Sequence, residues 1–270
     1  MKLNNFSEII EKIKLDGFYA INNFIDNSDI EKIKNIINEK SFSKFDNNDN
    51  FYLTKNKFLK IRLKKIFNIK YLLNSFFLLK IANKYRFLDI AKGVLGKSSR
   101  LDTIDGYVSK ISLEPVLDWH VDQAYSGRSD VTKFVNPDYS SIKFFIYLTD
   151  VHSNNGCMGY IPFSHRIAYF LKQGILSKNI TYSPYWTLKD FRNKVSSKET
   201  YNFISNYLSK KDINEFLEKS DFINKSSDTV NFDLPLLKGG IIIFDEAGVH
   251  RGSAPTLEER IVCRFHYKRN

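Results

Sequence analysis

The sequence predicts one α+β unit, a helical N-terminal part packed on a β-rich C-terminal part. Three observations carry that prediction. Apolar residues recur at helical spacing through roughly the first hundred positions. Near residue 101 the texture changes to short β-branched and aromatic runs separated by turn signals. No repeat, low-complexity linker or composition break divides the chain, so residues 1–270 read as a single domain. A chain of 270 residues, 43% hydrophobic and 15% aromatic with only 12 Gly and 6 Pro, can bury a large core and is neither disordered nor collagen-like.

In chain order, Phe6, Ile9, Ile10 and Ile13 predict a helix over 6–15 that Gly17 ends, and Phe18 to Ile25 predicts a short strand. Ser28-Asp29-Ile30-Glu31 reads as a capping box opening a second helix to about Glu39. Residues 41–57 read as an exposed loop, and 58–97 as one or two helices closed by Gly93 and Gly96. Strands are expected at Tyr107–Leu113, Ser141–Leu148, Ile241–Phe244 and Arg260–Tyr267. Between the second and third lies an insert, 167–229, with helical periodicity from Lys198 to Lys219.

The net charge of +11 would attract anionic ligands, but the basic residues are scattered, which fits better the joint abundance of Lys, Asn and Ile found in chains from AT-rich genomes. The densest basic run, Lys55 to Lys70, is interleaved with apolar residues and reads as a solvated helix face. No nucleic-acid partner is expected. Two cysteines, Cys157 and Cys263, make no disulfide framework, and the most apolar stretch, Tyr71 to Ala82, is broken by Asn74, Ser75 and Lys80. A cytoplasmic protein without a membrane span is expected.

Five histidines are present, at 120, 152, 165, 250 and 266. In an extended segment His120 and Asp122 share a face, and His250 follows an apolar strand 130 residues later. Two imidazoles and one carboxylate form the facial triad of non-haem Fe(II), which leaves three positions open. The triplet alone also fits a surface histidine beside a turn aspartate. Arg260 adds weight to the metal reading, because a guanidinium there can hold one end of a dicarboxylate whose other end chelates the metal. Alternation then puts Arg264 on the same face as Arg260, either for a substrate anion or for an internal salt bridge. Phe145 and Tyr147 share a face expected to line the pocket, and Trp186, with Tyr182, Pro184 and Tyr185, makes a substrate-contacting cluster or a satellite core. His165 reads as structural, His152 as exposed, and both cysteines as small apolar residues.

Trp119-His120-Val121-Asp122, the segment Asn155-Gly156-Cys157 through Pro162-Phe163-Ser164-His165, and His250-Arg251-Gly252-Ser253 through Arg260 resemble the phytanoyl-CoA dioxygenase family of Fe(II)- and 2-oxoglutarate-dependent oxygenases. Asp16-Gly17-Phe18 and Leu95-Gly96 are similar as well. The resemblance implies a double-stranded β-helix, the cupin-like jelly roll. It implies Fe(II) held by His120, Asp122 and His250, with 2-oxoglutarate on Arg260 helped by Ser253. This chain departs from the pattern by carrying Arg251 between His250 and the Gly-Ser pair. The reaction implied is hydroxylation of a small-molecule C–H bond with O₂, releasing succinate and CO₂, the substrate being anionic if the net charge is functional. Asp122 favours hydroxylation over halogenation, since halogenating relatives carry a small residue there. Desaturation, epimerisation or cyclisation with the same cofactors remains open, as does an inactive cupin-like binding protein. A nucleic-acid demethylase would show a steep salt dependence.

Overall fold

Three strands whose alternate residues enter the helix-covered core on one side and the barrel interior on the other organise the molecule. The computed structural model describes residues 6–38, 51–54, 69–122, 141–153, 155–225 and 230–269. Its strands are β1 (Phe18–Ile21), β2 (Phe51–Thr54), β3 (Arg100–Ser109), β4 (Leu117–His120), β5 (Ser141–Tyr147), β6 (Met158–Tyr160), β7 (Asp233–Leu234), β8 (Ile241–Asp245), β9 (His250–Gly252) and β10 (Arg260–Lys268). They form a six-stranded sheet in the order β1-β8-β5-β10-β3-β2 and a four-stranded sheet in the order β4-β9-β6-β7. Every pairing in both sheets is antiparallel. This is the expected two-sheet jelly roll.

Four helices cover the outer face of the large sheet: α1 (Phe6–Asp16), α2 (Asn27–Asn38), α3 (Ile69–Lys84) and α4 (Phe87–Leu95). Ile9 and Ile13 of α1, and Ile30, Ile33, Ile36 and Ile37 of α2, are the buried stripes that the spacing predicts. They meet Ile142, Phe144 and Ile146 of β5, Ile241 and Ile243 of β8, and Ile261, Cys263, Phe265 and Tyr267 of β10. Phe87 stacks on Phe144 at 4.5 Å between ring centroids and meets Phe265 edge-on at 5.1 Å. Because helices lie outside and side chains fill the inside, β5 is buried on both faces, which removes the polar alternation of a half-exposed strand.

Several boundaries differ from expectation. The first helix ends at Asp16, and Gly17, at φ +91°, turns the chain where a Cβ would lie 2.4 Å from the Tyr160 hydroxyl. The strand after it stops at Ile21, before the left-handed Asn23. The capping box does not form: α2 opens at Asn27, Glu31 reaches Lys238 at 3.0 Å, and Asp29 takes Lys84 at 2.6 Å. Gly93 lies inside α4, packed on Ile10, and Gly96 alone ends the helix. The strand expected at Tyr107–Leu113 is displaced to Arg100–Ser109, leaving Ile111 and Leu113 exposed. Long pairing with β10 outweighs local propensity there. Residues 51–54, expected in a loop, form an edge strand on β3 for the same reason. The rest of the expected 41–57 loop, the 58–68 part of the expected helices and most of the Lys55–Lys70 run lie outside the described residues.

The insert folds as α5 (Ser164–Leu176), α6 (Leu188–Ser196), α7 (Lys198–Ile204) and α8 (Lys210–Lys225). The single helical stretch expected from Lys198 to Lys219 is therefore two helices, separated at residues 205–209. Ile204 and Leu208 turn into the core at that break. The insert builds its own core from Leu171, Tyr185, Phe191, Val195 and Phe216, joined by Trp119, Val121 and Val249 from the barrel. Among the described residues no helix is long and apolar enough to cross a membrane.

Candidate metal centre

β4 ends at His120 and β9 begins at His250, and these two residues are direct partners across the small sheet. Their ring centroids lie 4.3 Å apart. Beyond His120 the chain is held by the insert, since the Val121 N–H donates to the Trp186 carbonyl at 3.0 Å. Asp122 is thereby returned to the same point, with Oδ1 3.1 Å from His120 Nε2 and Oδ2 3.4 Å from His250 Nε2. One donor atom from each residue fits within 4.8 Å of the others. Neighbouring ligands on a first-row ion with bonds of about 2.1 Å stand about 3 Å apart, so the three donors suit one ion.

Each histidine is prepared for that role by its own backbone. His120 Nδ1 lies 2.6 Å from the Asp118 carbonyl and His250 Nδ1 lies 2.9 Å from the Gly248 carbonyl. A carbonyl only accepts, so Nδ1 carries the proton and Nε2 presents its lone pair. The His250 ring is wedged against Phe244 at 5.0 Å and Tyr160 at 6.3 Å. Burial and the neighbouring His120 push its pKa down, which keeps it neutral and able to ligate. Burial alone would raise the Asp122 carboxyl, but the Lys143 ammonium beside it holds it well below the usual carboxylate range.

Lys143 is the first link in a chain of alternating charges along the barrel interior, running Asp122, Lys143, Glu246, His266, Asp105 and Arg264. Lys143 contacts Asp122 and lies 3.5 Å from Glu246, and His266 lies 3.7 Å from both Glu246 and Asp105. Burial would raise Glu246, yet Lys143 and His266 bring it down to about 2. Arg264 closes the chain by gripping Asp105 through Nε and Nη2, both at 2.5 Å. Of the two readings open for Arg264, the structure therefore shows the internal salt bridge. Its guanidinium is committed to a buried carboxylate, although one edge still lines the cavity.

That cavity, about 540 Å³, runs from the three metal-type donors to Arg260. Arg260 is 2% exposed and donates to the Gly156 carbonyl and the Tyr107 hydroxyl at 3.0 Å and to Ser109 Oγ at 3.3 Å. Among the described residues no carboxylate pairs with it, and its Nε has no partner. A buried cation supported only by neutral groups is a receptor for an anion. Gly156, at φ +73°, packs directly on the Arg260 stem, where a Cβ would come within 3.2 Å of Cδ. The Asn155-Gly156-Cys157 motif thus builds the arginine's cradle, and Asn155 ties down the loop before it by accepting from the Leu257 N–H at 2.9 Å.

The remaining expected site residues divide. Phe145 lines the cavity. Tyr147 does not: it is fully buried in the apolar layer below, with Val262 and Met158. Ser253 spends its hydroxyl on the Cys157 carbonyl at 2.8 Å, joining backbone rather than facing the cavity. The side chains around Arg260 are instead Tyr107 and Ser109, which share a face of β3 and are brought to the arginine by its pairing with β10. Arg251, the residue that departs from the family pattern, bonds Asp233 at 2.7 Å and covers the Trp119 ring. The aromatic cluster of the insert splits: Tyr185 is core, whereas the half-exposed Trp186 ring lies 5.6 Å from that of His120. His165 is buried with Nε2 on the Lys14 carbonyl, His152 is exposed, and both cysteines are buried thiols.

No curated protein sequence matches this chain significantly. Solved structures do resemble it in fold. HygX from Streptomyces hygroscopicus, with nickel, 2-oxoglutarate and hygromycin B bound, superposes with a TM-score of 0.56 at 14% identity, covering 97% of this chain and 87% of that one. The epimerase SnoN of nogalamycin biosynthesis, with Fe³⁺, α-ketoglutarate and nogalamycin RO, gives 0.55 at 14% identity over 98% of this chain and 83% of that one. The carbocyclase SnoK gives 0.51 at 13% identity over 97% and 83%. At the level of sequence, the family model for phytanoyl-CoA dioxygenase matches residues 13–260, so the chain belongs to that family of non-haem iron, 2-oxoglutarate-dependent oxygenases.

Proposed function

We propose that this protein is a single-domain dioxygenase that hydroxylates a C–H bond of a small molecule, using Fe(II), 2-oxoglutarate and O₂. One observation carries the reading: a three-donor cluster with both histidine tautomers set shares a cavity with a buried arginine that has no carboxylate partner among the described residues. When bound, iron with 2-oxoglutarate and O₂ supplies oxidative decarboxylation to succinate and CO₂, coupled to oxidation of the substrate. The protein's own residues position and exclude. His120, Asp122 and His250 hold the metal and leave one face open to the cavity. Arg260, oriented by Gly156, Tyr107 and Ser109, takes the distal carboxylate of 2-oxoglutarate. Phe145 and the Phe244–Tyr160 wall keep water from the back of the site, and Trp186 offers a ring to the substrate beside His120. Three further cations that line or border the cavity are paired with carboxylates (Lys143 with Asp122 and Glu246, Arg251 with Asp233, Arg264 with Asp105). The buried thiols are in keeping with a reducing, cytoplasmic setting.

The test needs no substrate. Anaerobic protein with Fe(II) and 2-oxoglutarate should show the weak visible charge-transfer band of the chelate. Asp122→Ala should abolish it, and Arg260→Ala should weaken 2-oxoglutarate binding roughly 100-fold, the worth of two charge-assisted hydrogen bonds. A folded wild-type protein without the band would overturn the reading and leave a cupin-like binding protein. Because the fold also houses an epimerase and a carbocyclase, product mass is the second readout. Hydroxylation adds one oxygen atom, epimerisation leaves the mass unchanged, and cyclisation or desaturation removes two hydrogens.

A further inference from the structure

Resting on the metal-site reading above, we infer that Lys143 is a positioning residue that keeps Asp122 bound to the metal through a single oxygen, and so keeps open the positions that 2-oxoglutarate needs. A carboxylate can ligate with one oxygen or with two. On an octahedral ion the three protein donors, a chelating 2-oxo acid and O₂ together use every position. A second oxygen from Asp122 would take one of them.

The structure treats the two Asp122 oxygens differently. Oδ1 lies 3.1 Å from His120 Nε2, whereas Oδ2 carries the Lys143 ammonium and lies 3.4 Å from His250 Nε2. The ammonium has little freedom to leave. Lys143 points inward from the middle of the large sheet, locked between Phe244 of β8 and His266 of β10. It is 8% exposed, and its charge rests on Glu246 at 3.5 Å and over the Phe244 ring at 5.9 Å. Pulling Oδ2 onto the metal would strip a buried ammonium of its nearest partner, a costly change in this environment. Glu246 anchors Lys143 from the other side, and His266 anchors Glu246 in turn.

A structural ion pair and a coordination lock predict different binding data. Co(II) serves as the probe metal, because its visible spectrum reports coordination number, and 2-oxoglutarate is titrated into the Co(II)-loaded protein. In Lys143→Met we expect 2-oxoglutarate affinity to fall at least about tenfold, a change of about 1.4 kcal/mol. Co(II) affinity should stay equal or rise, since a nearby positive charge is gone and a second oxygen is freed. Lys143→Arg should restore 2-oxoglutarate binding. Unchanged affinity for both ligands, or a parallel loss of both that tracks a lower melting temperature, would overturn the inference. If Lys143→Met does not fold, the charge-balanced double variant Lys143→Met/Glu246→Gln is judged by the same outcomes. A wild-type protein that binds Co(II) yet never binds 2-oxoglutarate would instead overturn the oxygenase reading itself.

Discussion

On β5, β8 and β10 the outward residues Ile142, Phe144, Ile146, Ile241, Ile243, Ile261 and Phe265 meet helices, whereas the inward ones include Lys143, Arg260, Arg264 and His266. Successive residues of one strand therefore stand in opposite environments, apolar outside the sheet and ionic within the barrel. The outward face is tolerant of chemistry and intolerant of lost volume, as expected for a packed core. On the inward face a charge is acceptable only where partners satisfy it, as Asp105, opposite in register, does for Arg264. Arg260 and Arg264 sharpen the contrast. Four residues apart and facing the same way, one has only neutral hydrogen-bond partners among the described residues and the other is tied to Asp105. Vacancy for an anion is a property of the partners and not of the arginine.

The largest stability effect expected is on the outward face. Phe144→Ala should cost about 3–5 kcal/mol in denaturant unfolding by opening a void under Phe87 and Phe265. The Fe(II)–2-oxoglutarate band per folded molecule should be unchanged; loss of the band would show that the two faces are not separable.

Next in size, Asp105→Asn should cost roughly 2–3 kcal/mol, less than a fully enclosed pair because Arg264 is 19% exposed. It should also change the pH dependence. Burial would raise the Asp105 pKa, but Arg264 and His266 hold it below the unfolded value. Its contribution is thus present above about pH 4 and lost as pH falls toward the folded value. The His266 pKa, which burial would lower, is raised by Asp105 and Glu246. That contribution is complete below about pH 6.5 and lost as pH rises through the folded value. Unfolding curves from pH 3 to 8 should be flatter in Asp105→Asn on the acid side; an unchanged acid limb would refute the charge chain as a stabilising element.

The smallest effect is expected at Ser253. Ser253→Ala should cost about 1 kcal/mol, the net worth of one hydrogen bond to the Cys157 carbonyl. 2-Oxoglutarate affinity should move less than about twofold. A tenfold loss would restore Ser253 to the direct cosubstrate role that the family resemblance implies.

What could be read in advance follows from range along the chain. β5, β8 and β10 were legible because each is a β-branched and aromatic run set off by turn signals. The metal donors were legible because His120 and Asp122 share a face by local geometry alone, and because His250 follows the apolar strand β8. β3 was misplaced because its limits are set by pairing with β10, some 150 residues away. With it went Asp105 beside Arg264, while Tyr107 and Ser109, inside the expected strand, could be placed beside Arg260 only by the register with β10. The break between α7 and α8 was hidden because the apolar spacing runs through residues that turn into the insert's core.

By itself the sequence determined the fold class and the family and singled out the three candidate donors, since each rests on local patterning or on motifs of a few residues. Only the tertiary structure decided that Arg260 has no carboxylate partner among the described residues, which Asp122 oxygen is held by Lys143, and that Tyr147 and Ser253 do not line the cavity. The physical reason is that partnership inside a barrel is set by strand register, and register brings together residues that no local pattern in the chain relates.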